Sequence, residues 1–301
     1  MSVDGEKYYL YHYNPSKVAA IIFIALFALT TLLHTYQLFK KRTWYFIPFL
    51  IGGFFETIGY VGRALNAGQT YGNWTTPPYI MQSLLLLLAP ALFAASIYMV
   101  LGRIIRLTGG ESLSPIRVNW LTKVFVAGDV ISFLAQSGGG GILAKAKSKK
   151  DSDLGENVIT AGLGIQVLFF GLFILVASIF NYRLRLHSST TLRSKQSTLT
   201  VPWQRYLFVL YGASFMIMIR SVFRIAEYVM GQDGFLLGHE YFLYIFDGTL
   251  MWLTMVLFNI CHPSSIIENR KGKNREHSRD PESMDSGFEL THEDLRMRQK
   301  P

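Results

Sequence analysis

Glu56, Arg63, Lys123, Asp129, Arg220, Arg224, Glu227 and Asp247 all lie inside stretches that are otherwise apolar, and Glu240 stands at the rim of one. Their spacing is helical. Glu56, Tyr60 and Arg63 fall at i, i+4 and i+7, as do Arg220, Arg224 and Glu227, and again Glu240, Tyr244 and Asp247. Thr122, Asp129 and Gln136 extend the pattern over i, i+7 and i+14. Such spacing puts each set on one face of its helix. A charge in hydrocarbon is costly, so these faces point into a bundle or a wet cavity, where they pair, bind a polar group or carry a proton. Acids and bases nearly balance, as a paired network requires. The candidate substrate-binding or proton-coupling residues are Glu56, Asp129, Glu227, Asp247 and Gln136. Arg63, Arg220 and Arg224 are the candidate ion-pair network.

The elements that position them are seven apolar runs of about 20 residues or more, the length a membrane-spanning helix needs. They read as Val18–Phe39, Tyr45–Leu65, Tyr79–Ile105, Val118–Leu143, Val158–Asn181, Tyr206–Met230 and Glu240–His262. The runs are continuous rather than alternating, which excludes a transmembrane β-barrel. Half the residues are hydrophobic and only 16% are charged, which argues against a soluble or disordered chain. The expected fold is an all-α membrane protein, a bundle of seven transmembrane helices. Residues 1–17 form an external N-terminal segment, 18–263 the seven-helix domain, and 264–301 a mobile cytosolic tail.

Orientation follows from Lys and Arg. Alternate loops and the tail hold nineteen on one side against six on the other. The positive-inside rule puts the N-terminus outside and the C-terminus in the cytosol. Lys145, Lys147, Lys149 and Lys150, in the loop before the fifth run, are the exception. Asn73-Trp74-Thr75, a glycosylation sequon, falls in an external loop on this topology. The net charge of +9 therefore reflects topology, not nucleic-acid binding. No cleavable signal peptide is expected, because the first apolar run is too long for one. Cys261, the one cysteine, reads as a packed helix-end thiol.

Several residues suggest movement or close packing. Pro90 should kink the third helix. Ser137-Gly138-Gly139-Gly140-Gly141 should unwind or hinge the end of the fourth, with Gly139 and Gly140 as hinge candidates. Gly162, one turn before Gln166, suggests a close helix crossing. The loop from Tyr182 to Arg205 and the tail from Ser264 read as mobile polar segments, the early tail suited to anionic lipid headgroups.

In chain order the sequence carries Glu56-x-x-Gly59-Tyr60-x-x-Arg63, Gln82, Ala89-Pro90, Ala94-Ala95-Ser96-x-Tyr98-Met99, and Asp129 with Gln136-Ser137-x-Gly139-Gly140. Gly162-x-x-x-Gln166, Arg224-x-x-Glu227 and Asp247 follow. This set resembles a family of fungal lipid-translocating exporters associated with resistance to aminocholesterol and other toxic lipids. The resemblance runs from Asn14 to Pro263. It implies a seven-helix protein of the plasma membrane or related membranes. It further implies release of sphingoid long-chain bases, sterol-analogue resistance or porphyrin uptake.

The expected function is translocation of amphiphilic lipids, sphingoid bases or sterol-like toxic lipids, through a polar cavity in the outer half of the bundle. Membrane lipids and an amphiphilic substrate are the expected partners, with no cofactor and no nucleic acid. The sequence has no Walker A motif, so an ion gradient or facilitated passage must drive transport. A seven-helix lipid sensor is the alternative reading, although helix 3 ends Gly102-Arg103-Ile104-Ile105-Arg106 without the usual receptor triplet. An intramembrane metal hydrolase is disfavoured. Only His34 and His262 approach the spans, so no catalytic or metal residue is expected.

Overall fold

The computed structural model describes residues 2–3, 6–7, 11, 13–70, 73–145, 149–186, 203–230, 234–236 and 238–264. Most of the loop between Tyr182 and Arg205, and the tail beyond Ser264, lie outside them, as do the expectations placed there.

Among the described residues, seven helices are long and apolar enough to cross a membrane. They are α1 Lys17–Lys41, α2 Ile47–Ala67, α3 Thr76–Thr108 and α4 Val118–Lys145. There follow α5 Lys149–Leu186, α6 Trp203–Val229 and α7 Glu240–Ile260. Two paired two-residue strands, Ser2–Val3 and Glu6–Lys7, precede them. The protein is a multi-pass membrane protein. Large apolar side chains such as Leu32, Leu134, Phe208, Phe215 and Ile260 face outward, as expected of a surface in contact with lipid tails.

Local chemistry sets the helix ends. Ser16 caps α1 by accepting from the Ala19 amide at 3.3 Å. Prolines occupy the first turns of α2 and α3, where a missing N–H costs nothing. Gly109 closes α3 in the left-handed conformation, at φ 66°. α7 is not a plain helix. Its residues Tyr244–Thr249 adopt π-helical geometry, and the Thr249 hydroxyl donates to the Tyr244 carbonyl five residues back at 2.8 Å. Asp247 lies within this stretch.

Helix α3 is the central element, in contact with α2, α4, α5 and α6. Small residues bring α2 against it. A Cβ on Gly52 would lie 2.6 Å from the Phe93 ring, and one on Gly62 would lie 2.8 Å from the Pro78 carbonyl. Close backbone approach through small residues is a common way for helices to associate without a hydrophobic driving force.

Two expectations need correction. The run Ser137–Gly141 does not unwind, because α4 stays helical through it to Lys145. Gly139 is glycine for packing. A Cβ there would come within 2.8 Å of the Gly155 carbonyl and 2.9 Å of the Ile159 amide on α5. Positions 138, 140 and 141 meet nothing within 4 Å. The loop expected between α4 and α5 is also shorter, because α5 begins at Lys149 rather than near Val158. Gly155 lets the extended end pack closely on α4, since its own Cβ would lie 3.0 Å from the Gly139 carbonyl. The two glycines zip the helix ends together. The crossing expected at Gly162 is present too. A Cβ there would sit 2.7 Å from the Gln136 side chain and 3.0 Å from the Ser132 carbonyl.

Candidate functional site

The polar residues resolve into a chain of charges and a separate polar group centred on α4. The chain is centred on Arg220 of α6, which is 1% exposed. Its Nε donates to Asp247 of α7 at 2.5 Å, and its Nη2 donates to the Leu86 carbonyl of α3 at 2.7 Å. That carbonyl is available for a covalent reason. Its helical donor would be the N–H of residue 90, and residue 90 is proline, which has none. Pro90, expected as a kink or hinge, lies in a helix that continues from Thr76 to Thr108. Its ring leaves an acceptor at the place where a buried guanidinium needs one.

Glu56 of α2 faces this pair. It is fully buried, neither carboxyl oxygen has a hydrogen-bond partner, and Asp247 and Arg220 are its charged neighbours. Arg220 thus serves two acids, and bonds only one. Arg224 pairs with Glu227 on its own helix at 2.6 Å and lies within the field of Asp247.

Tyr60 continues the chain toward the end where α1 and α7 begin and α2 ends, called here the near end. Its buried hydroxyl has no partner and interacts electrostatically with Glu56 and Asp247 on one side and Arg63 on the other. At the near end, Arg63 is 0% exposed and donates to Glu240 at 2.7 Å, Tyr13 at 2.9 Å and Tyr244 at 3.0 Å. The rings of Tyr11, Tyr13 and Tyr244 surround its guanidinium, with centroids 5.2 to 5.7 Å away. Aromatic faces stabilise a cation so placed. Both Glu240 oxygens also accept from the Ser16 amide, at 2.8 and 2.9 Å. Burial pushes the phenols of Tyr11 and Tyr13 up from their ordinary range, so both remain hydroxyls.

Asp129 and Gln136 lie apart from the charge chain. Asp129, 5% exposed, accepts from the hydroxyl of Tyr98 on α3 at 3.0 Å. Gln136 donates to Ser132 at 2.6 Å and to Gln166 of α5 at 3.1 Å, and Ser132 donates to the Gly162 carbonyl at 2.7 Å. The expected convergence therefore holds for Glu56, Arg63, Arg220, Arg224, Glu227 and Asp247, and not for these two. Lys123, counted among the interior bases, is exposed and sits over the Trp120 ring at 5.6 Å.

Sequence spacing missed four participants. Tyr98 pairs across helices, which single-helix periodicity does not register. The Leu86 carbonyl was implicit in Pro90 four residues on. Tyr11 and Tyr13 belong to a segment dense in tyrosine that hydropathy sets aside.

The sequence pattern of the family described as RTA1 like protein matches residues 49–270. The chain belongs to this family. It is 36% identical to protoporphyrin uptake protein 1 of Saccharomyces cerevisiae over 86% of this chain and 94% of that one. A probable lipid transporter of Emericella nidulans, atnI, is 28% identical, covering 86% of this chain and 68% of the relative. The sphingoid long-chain base transporter RSB1 of Saccharomyces cerevisiae is 25% identical, covering 83% and 72%. No solved structure matches. The family lies where the resemblance of the motifs pointed. Asn73, the sequon residue, is exposed beside the start of α3.

Proposed function

We propose that this chain translocates amphiphilic lipids across the plasma membrane, with sphingoid long-chain bases or sterol-like toxic lipids as substrates. The near end is the outer one, with the N-terminus outside and the C-terminus in the cytosol. The observation that carries the reading is Glu56, a fully buried carboxyl with both oxygens unbonded beside the Arg220–Asp247 pair. A group held so, inside a family with relatives named as lipid transporters, suits a binding or proton-exchanging role better than a purely structural one. A structural carboxyl would have its hydrogen bonds satisfied.

On this reading, the lipid headgroup engages the charge chain while its hydrocarbon lies along the apolar helix faces. Passage runs between the central cluster and the near end. Asp129 and Gln136 serve a second polar station along α4, and Pro90 lies where α3 can bend. The chain has no nucleotide-binding motif, so passage is facilitated or coupled to an ion gradient.

The test is movement of a fluorescent sphingoid base in proteoliposomes containing only the purified protein. Translocation above empty vesicles is expected, with strong loss in Glu56→Gln and a smaller loss in Asp129→Asn. Absence of movement from folded protein, over a range of pH and membrane potential, would turn the reading to a lipid sensor. Normal movement in both variants would remove the acids from the mechanism.

A further inference from the structure

The near end is closed by Tyr11, Tyr13 and Ser16, which precede the first helix. Tyr11 is 4% exposed. Its hydroxyl donates to Gln82 of α3 at 2.8 Å and lies 3.2 Å from the Asn66 amide of α2. Its ring meets the edges of Trp74 and Tyr79 at 5.3 Å. Two residues on, the Tyr13 hydroxyl accepts from Arg63. Three further on, the Ser16 amide is held by Glu240 of α7. Tyr11, Tyr13 and Ser16 are thus bonded to α2, α3 and α7, over residues that are themselves fully buried, Arg63 and Asn66. We infer that Tyr11, Tyr13 and Ser16 form a strap that seals the near end of the bundle and must lift for the charge chain beneath it to open there.

The chemistry favours a releasable closure. The strap contributes hydroxyls and rings rather than an apolar wedge. Its groups engage Arg63 and Glu240, which are bonded to each other at 2.7 Å without it. Lifting the strap exposes an already paired arginine and glutamate, not two isolated buried charges. Arg63 Nη1 has no partner in the closed form. The released site therefore offers a free N–H, together with the Nη2 that Tyr13 vacates, to an oxygen-bearing headgroup. In the closed state the Tyr13 hydroxyl occupies the position such an oxygen would take.

The inference deepens the transport reading and rests on it only for its second experiment. In the full chain, with Cys261→Ser as background and the protein in nanodiscs, Asn66→Cys reports exposure beneath the strap to a membrane-impermeant maleimide. Slow labelling is expected. Tyr13→Phe, which removes a bond to a charged donor and keeps the ring, should raise the rate about tenfold. Equal rates with and without Tyr13→Phe would overturn the strap.

The second experiment joins Tyr11→Cys to Gln82→Cys with a bifunctional, reducible thiol reagent. Cross-linked protein should lose sphingoid-base translocation and regain it on reduction. Translocation by the cross-linked form at the reduced rate would likewise overturn the strap as a gate. Reduced protein that moves no lipid at all counts against the transport reading, and the labelling result then still decides the strap.

Discussion

Replacing Arg220 by Met removes three things at once, two of them with separable magnitudes. Asp247 loses its buried partner, a change that costs about 3–5 kcal/mol in comparable pairs. Glu56 loses Arg220, the base beside it. The Leu86 carbonyl loses the Arg220 donor and has no helical substitute because Pro90 carries no N–H, adding about 1–3 kcal/mol for a bare buried acceptor. Asp247→Leu should cost less, about 3 kcal/mol, because Arg220 then keeps Glu56 opposite and Leu86 beneath. The pair Arg220→Met with Asp247→Leu should be more stable than Arg220→Met alone.

The sharper forecast concerns Pro90→Ala. In the native background it restores an N–H to a carbonyl that is already occupied, so its effect is small. In the Arg220→Met background it supplies the missing donor. It should therefore stabilise the Arg220→Met protein by about 1 kcal/mol or more beyond its effect on the native chain. The assay is a double-mutant cycle by SDS titration in micelles, followed by tryptophan fluorescence, for which the chain has five indoles. A Pro90→Ala effect equal in both backgrounds would refute the argument that Pro90 serves Arg220.

Two further outcomes follow from the geometry. Gly139→Ala should destabilise by about 1–3 kcal/mol through overpacking against Gly155 and Ile159, whereas Gly138→Ala, in open space, should gain up to about 1 kcal/mol of helix propensity; the same titration measures both, and a common sign would sink the packing account. Asn73, exposed ahead of α3, should carry glycan if the near end is external, so Asn73→Gln should abolish an endoglycosidase-sensitive mobility shift; a glycan acceptor engineered into the tail that is used instead would invert the topology.

The helices were legible because long apolar runs leave few alternatives in a membrane, and the spans fell within a few residues of the helices found. The early start of α5 was not, because the stretch from Lys149 is polar and packs on α4 through Gly155 and Gly139, a contact that hydropathy does not encode. The interior charges were legible as a set. Their pairing was legible only within one helix, as for Arg224 with Glu227. Glu56 and Arg63 share a face of α2, yet Arg63 bonds Glu240 whereas Glu56 stands beside Asp247 and bonds nothing. Helical spacing says which side chains point the same way and not what stands opposite. The proline was visible too, but its consequence appears four residues earlier and on another helix.

The split between the two polar systems bears on how the bundle could move. Charged contacts join α2, α6 and α7, whereas α4 and α5 are joined by the neutral amides of Gln136 and Gln166 and by paired glycines. Helix α3 is bonded to both sides, through the Leu86 carbonyl to Arg220 and through Tyr98 to Asp129. Leu86 and Tyr98 lie on opposite sides of Pro90 along the helix. A bend at Pro90 would shift one contact relative to the other. Coupling between Arg220 and Asp129 therefore needs no direct contact between them. It needs only that α3 remain one helix with an interrupted hydrogen-bond ladder, and a helix bends most readily at such a point.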